Sequence, residues 1–360
     1  MILLAKISTG ILACMFVTCM LLQFVRVRAG KLSGFLIGSV FVICMVLIAY
    51  SSWLGTGSDI SRYYSILNGL EGKSFAWAMK NGTYKNTILT NAFFWLIAQT
   101  GNNHLLPAVS TFLILINIIY FIRLETKRDT LEPSTQMTYV ILYLAVASFA
   151  AVMTGVRQDW MISVFAIALH RDVVQQKRGV VTILLYAASC MIHNSALLLV
   201  IVRLASLVRG WVRYIFLGWG VLIPYAERFT SLEGIFGEAA DKLNKYQGVQ
   251  DLDIRNILAR TLMTAMLLVV LLWMKRKDKQ NRYYGFMETL MIFCFGSVGV
   301  QHVYARLLTA TSVLSLPLLA DFKKRVSASV WSLFLGALMF ICVGLFAYQF
   351  TLIRNYWVFR

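Results

Sequence analysis

The chain has 360 residues, 59% hydrophobic and 14% charged, with a mean hydropathy of +0.70. Soluble domains carry roughly 25% charged residues, so the composition excludes an ordinary soluble domain and points to an all-α, polytopic integral membrane protein. The net charge of +18 would suggest nucleic acid in a soluble protein, but here it reflects cytoplasmic loops enriched in Lys and Arg, and no nucleic-acid partner is expected.

Stretches 32–58, 86–122, 133–156, 180–202 and 326–353 contain no Asp, Glu, Lys or Arg. A span needs about 20 apolar residues to cross a hydrocarbon core of about 30 Å. Backbone groups in lipid must satisfy one another, so these runs read as helices, and their length excludes short barrel strands. In chain order the expected spans are 2–25, 34–54, 105–122, 136–154, 156–174, 180–192, 195–208, 211–226, 256–274, 284–300, 303–320 and 328–350, about 12 in one transmembrane domain over 1–360. The first is read as a span, because it is longer than a signal-peptide core and lacks a clear small-x-small cleavage site. Residues 88–99 are apolar but short and stop at Gly101-Asn102-Asn103, which predicts an interfacial or re-entrant helix. Residues 180–208 read as a hairpin broken at His193-Asn194-Ser195, or as one tilted helix.

Orientation follows the basic clusters Arg26 to Lys31, Arg123 to Arg128, Arg171 to Arg178, Arg203 to Arg213, Lys275 to Arg282 and Lys323 to Arg325. Together they hold well over half of the 34 basic residues. Placing them in the cytoplasm leaves both termini and the loops of about 55–104 and 227–255 outside.

Ionisable groups within or bordering spans mark functional sites by default. Four such groups fall on the outer side. Gly55-Thr56-Gly57-Ser58-Asp59-Ile60-Ser61-Arg62-Tyr63-Tyr64 follows the second span, with Asp59 and Arg62 on one face of a helix that Asp59 opens. Thr154-Gly155-Val156-Arg157-Gln158-Asp159 forms a short turn between apolar helices. Ile192-His193-Asn194-Ser195-Ala196 and Gln301-His302-Val303-Tyr304-Ala305-Arg306 are the other two. Taken singly, each has a bland alternative: an N-cap with interfacial tyrosines, a snorkelling arginine, or a hydrogen-bonded core histidine. Together they predict a basic, polar pocket at the outer leaflet. Arginine's planar fork and permanent charge suit phosphate or pyrophosphate, so an anionic lipid headgroup is the expected ligand.

No metal or other cofactor is expected. The cysteines Cys14, Cys19, Cys44, Cys190, Cys294 and Cys342 lie in apolar runs, without CxxC or Cys/His spacing. Asp251-Leu252-Asp253 matches a nucleotide-sugar DxD pattern, but in an outer loop where no nucleotide-sugar is expected.

Gly57-x-Asp59 with Tyr63-Tyr64, then Gly155-x-Arg157-Gln158, then His193-x-Ser195-Ala196 occur in this order after an early span, at a middle span and after a basic loop. The pattern resembles the EpsG-like branch of the Wzy-type polysaccharide polymerases of bacteria. By motif it covers roughly residues 35–210; beyond that it rests on hydropathy and Arg306. Asp159-Trp160 departs from the small apolar residues expected after Arg-Gln. The resemblance implies an inner-membrane glycosyltransferase that joins undecaprenyl-pyrophosphate-linked oligosaccharide repeat units into O-antigen, capsule or exopolysaccharide on the periplasmic face, with a chain-length regulator protein as partner.

Arg157 and Arg306 are then candidates for stabilising the leaving pyrophosphate, and His193 or Asp59 for the base. Arg62, Tyr63, Tyr64, Gln158, Ser195, His302 and Tyr304 are candidate substrate-binding residues, with Tyr63, Tyr64 and Tyr304 stacking on sugar rings. An O-antigen ligase would carry a larger outer loop than 227–255. A flippase or transporter of lipid-linked sugar would place arginines along a full transmembrane path. A membrane acyltransferase using His193 as base is a third rival.

Overall fold

A computed structural model describes residues 2–22, 31–51, 59–129, 152, 155–208, 214, 215, 218, 254–298 and 301–356, and every described element is helical. By contact the chain divides into two compact units, residues Met1–Leu197 with Cys342–Arg360, and Leu198–Ile341. Among the described residues, three helical segments are long and apolar enough to cross a membrane: Leu105–Glu125, Ile257–Lys277 and Ala328–Leu345. A bent pair adds a fourth if counted as one span. Other predicted spans appear as shorter apolar helices, among them Gly38–Ser51, Val180–Ile192 and Ser195–Ala205. The predicted spans 136–154 and 211–226, and the loop 227–255 with its Asp251-Leu252-Asp253, lie outside the described residues except at isolated positions and the loop's last two residues.

The first unit begins with α1 (Ile2–Leu22) packed on α2 (Lys31–Ser51). After α2 come three shorter helices, α3 (Asp59–Leu70), α4 (Phe75–Asn81) and α5 (Ile88–Ala98), and then the long α6 (Leu105–Asp129). Helix α6 lies against α2 and against α7 (Gln158–Leu169), which packs in turn on α8 (Val180–Ile192). Ile60, Tyr63, Leu67 and Leu70 recur at helical spacing in α3 and are buried, while Asp59, Arg62 and Asn68 are exposed. This is the pattern of a helix with one apolar face.

Helix α5, expected as an interfacial or re-entrant element, forms as predicted at 88–98 and is the centre of this arrangement. It packs against α3, α4, α6 and α8. The Trp95 indole donates to Lys73 O at 2.7 Å and the Gln99 amide to Leu70 O at 3.1 Å, tying α5 to the turn between α3 and α4. Asn91, 1% exposed, donates through Nδ2 to Ala78 O in α4 at 2.6 Å. Gly101 ends the segment with φ +65, a conformation glycine adopts without steric cost.

At the other end of α7, the residue that follows it meets the end of α6. Glu125 on α6 pairs with His170 at 2.5 Å, their side chains 1% and 0% exposed. His170 opens a π-helical turn, His170–Val174, that follows α7. Asp172 in this turn accepts from Arg178 Nε at 3.0 Å and from the Tyr186 hydroxyl at 3.2 Å.

The stretch 180–208 forms two helices, α8 and α9 (Ser195–Ala205), rather than one continuous one. His193 leaves the helix with φ -153 and ψ 130.

In the second unit, α10 (Ile254–Lys277), α11 (Arg282–Gly296) and α12 (Gln301–Leu314) pack on one another. The Asn281 side chain caps α11 by accepting from Tyr283 N at 3.0 Å. Lys275 pairs with Glu288, and Arg325 lies 3.7 Å from Asp278, so the clusters at 275–282 and 323–325 also share an end. The expected span 303–320 is not one straight helix. It breaks between α12 and α13 (Leu316–Arg325) with a bend of 46°. Pro317 has no N–H to continue the ladder, and the Ser315 hydroxyl donates back to Ser312 O at 2.7 Å. The last helix, α14 (Ala328–Tyr356), follows.

Candidate functional site

The first unit gathers its unusual polar groups around the N-terminal half of α5. Val156 is 0% exposed in the apolar core beneath α5, with Ile60, Leu67, Phe94 and Leu106. Burying such a side chain contributes about 1.5–3 kcal/mol, so the residue before Arg157 is firmly held. Arg157 precedes α7, and its guanidinium carbon lies 3.8 Å from the centroid of the Tyr84 ring. Arg157 Nε is buried and has no hydrogen-bond partner among the described residues. A desolvated, charged donor without an acceptor is costly unless a ligand supplies one.

Tyr84 sits in the turn between α4 and α5. Tyr63 of α3 meets its ring edge-on at 6.3 Å, and Phe94 of α5 at 5.3 Å. Burial pushes the Tyr84 hydroxyl above its ordinary pKa; the Arg157 charge opposes this, and Arg62 and Asp59 are also close enough to act on it. Asp59 and Arg62 form an exposed ion pair at 3.1 Å. Asp59, Arg62, Tyr63 and Arg157 thus converge on Tyr84.

Gln158 opens α7 beside Arg157 and is half-buried. Trp160, which departs from the expected small residue, packs edge-on against Phe93 of α5 at 5.3 Å and anchors the Arg157 turn. Asp159 is 5% exposed in the first turn of α7, where the helix dipole favours a negative charge.

His193 reaches the same scaffold from α8. The Thr90 hydroxyl of α5 donates to Ile192 O at 2.6 Å. Ser195 N–H donates to His193 Nδ1 at 3.1 Å, and Ser195 Oγ lies 2.8 Å from the same nitrogen. The backbone donor is fixed, so Nδ1 accepts and the neutral ring carries its proton on Nε2. In that tautomer Nε2 is a donor and not a base.

The three tyrosines expected to meet sugar rings sit in different surroundings. Tyr63 is 4% exposed, with its edge against Phe94 as well as Tyr84. Tyr64 makes an edge contact with His104 at 5.8 Å, and burial raises the pKa of its hydroxyl to about 12. Tyr304 is 5% exposed, its hydroxyl 2.9 Å from Thr261 Oγ1. Each ring was expected on a sugar; in the folded chain Tyr63 and Tyr304 are buried and Tyr64 is half-buried.

Arg306 and Tyr304 belong to α12 in the second unit, and Arg306 is half-buried. The side chain of His302 lies outside the described residues. Next to Thr261 on α10, Arg260 donates through Nη1 to Thr309 Oγ1 at 2.6 Å.

The model of the EpsG family matches residues 35–358 of this chain. The chain belongs to the EpsG family. The match runs through Asp59, Arg157 and His193 and on past Arg306, well beyond the stretch that carries the motifs. No curated protein and no solved structure gives a significant match. Membership in the EpsG family and the apolar helices make this a membrane protein of polysaccharide biosynthesis.

Two residues of this EpsG-family chain escaped the sequence reading. Arg260 carried a usable signal, an ionisable group in an apolar span. Tyr84 carried none, since its significance is contact with residues distant in sequence.

Proposed function

We propose that this EpsG-family protein is a polysaccharide polymerase, a glycosyltransferase that extends undecaprenyl-pyrophosphate-linked oligosaccharides on the periplasmic face of the bacterial inner membrane, threaded by about 12 spans. The observation that carries this reading is Arg157, over the Tyr84 ring with a buried Nε that lacks an acceptor among the described residues. A pyrophosphate oxygen at the lipid surface meets that need.

In the reaction, a hydroxyl of the incoming lipid-linked unit attacks the anomeric carbon of the growing chain. The bond from that carbon to the pyrophosphate oxygen breaks, and undecaprenyl pyrophosphate leaves. Arg157 stabilises the charge on the departing oxygens, and Arg306 is the alternative candidate for that task. His193, a donor at Nε2, adds a hydrogen bond to the leaving group. The Asp59 carboxylate then remains to take the hydroxyl proton. Arg62, paired with Asp59, and Gln158, beside Arg157, border the same space. A chain-length regulator is the partner this activity calls for.

Deleting the gene tests the proposal. The expected result is a surface polysaccharide ladder reduced to single repeat units. Loss of all units, single ones on lipid A included, contradicts it and points to a ligase or flippase.

A further inference from the structure

We infer that Tyr84 is a positioning residue for the anion site: its ring holds the Arg157 guanidinium flat, so that the arginine's edge is presented to the phosphate oxygens of a prenyl pyrophosphate. This rests on the assignment of Arg157 to the leaving group.

A guanidinium on a flexible stem can take many orientations, and ordering it costs conformational entropy each time a ligand binds. At 3.8 Å from the ring centroid, Arg157 is in cation–π contact. Stacking occupies one face of the planar group and leaves its in-plane N–H donors for a ligand. Nε, one of those donors, is the buried atom without an acceptor among the described residues.

The platform is itself braced. Tyr63 and Phe94 meet the Tyr84 ring edge-on at 6.3 and 5.3 Å, and Phe94 is 0% exposed. The Tyr84 backbone is tied down as well: its carbonyl accepts from Thr87 N at 2.8 Å and from the Thr87 hydroxyl at 3.2 Å. The Tyr84 hydroxyl has no hydrogen-bond partner among the described residues, so the ring face is the feature that matters.

The test is binding of farnesyl pyrophosphate, as a short prenyl pyrophosphate probe, to full-length protein in detergent. Tyr84→Leu should weaken binding about thirtyfold, the scale of a desolvated cation–π contact. Tyr84→Phe, which keeps the face, should retain the affinity. Phenylalanines of increasing fluorination at position 84 drain the ring face of negative potential without changing its shape, and affinity should fall stepwise along the series. A role confined to packing would leave the fluorinated series flat, and a flat series overturns the inference even where Tyr84→Leu fails to accumulate. Arg157→Ala separates the two levels. If it loses binding while the series is flat, the anion site stands and the positioning role falls. If Arg157→Ala binds the probe as the wild type does, the anion-site reading itself fails and takes this inference with it.

Discussion

Replacing Arg157 with lysine keeps the charge and removes two features that the site uses. The first is the planar fork, with a buried Nε that offers an additional donor. The second is the cation–π contact with the Tyr84 ring at 3.8 Å. A hydrogen bond to a charged group is worth about 1.5–3 kcal/mol, so Arg157→Lys should slow polymerisation roughly 10- to 150-fold. Arg157→Ala removes the charge as well and should cost about 3–4 kcal/mol, or 100- to 1000-fold. Both variants should insert and accumulate normally, because Val156 and Trp160, on either side, keep the turn anchored in the α5 core. The assay is the chain-length distribution of surface polysaccharide, with a blot of the protein in membranes. A snorkelling anchor would accept lysine and would lose abundance, not activity, on truncation. Full-length polymer from Arg157→Lys at normal abundance would refute the reasoning and leave the leaving-group role to Arg306.

A methyl group on Gly82 would lie 2.4 Å from Asn91 Oδ1 and 2.5 Å from Ala78 O, displacing the hydrogen bond that joins α4 to α5. Gly82→Ala should destabilise the protein by about 2–4 kcal/mol and lower its melting temperature in detergent; an unchanged melting temperature contradicts the α4–α5 packing. Single cysteines at Ser58, Asn194 and Gln247, in a background without the native six, should react with an impermeant thiol reagent in intact cells, and those at Thr126 and Asp278 should not. Labelling at Thr126 would sink the orientation. Polymerisation in detergent should survive excess chelator, since the arginines neutralise the leaving group; activity lost to chelator and restored by magnesium would return Asp251 and Asp253 to the mechanism.

Much of the frame was legible where a local rule decides. The apolar run at 88–98 is too short to span, and Gly101, at φ +65, stops it. His193 divides 180–208 because the polar triplet interrupts an apolar run. The bend at Ser315 had a signal too, a proline inside a helical run, although the hydropathy of 303–320 reads as continuous. Residue roles were less legible because they depend on tertiary contacts. Tyr63 and Tyr304 look like exposed aromatic platforms in sequence, yet each is buried. Trp160 looks like a departure from pattern and is an anchor against Phe93. The Ser195 N–H that donates to His193 Nδ1 could not be read from the sequence either.

The most direct test of the central claim is elongation by purified protein. The protein in detergent or liposomes is supplied with a single undecaprenyl-pyrophosphate-linked repeat unit, and products are resolved by size while released undecaprenyl pyrophosphate is quantified. The account predicts a ladder of lipid-linked chains, with one carrier released for each bond formed. Substrate that stays at one unit with no carrier released, under conditions where the protein is folded, would contradict it.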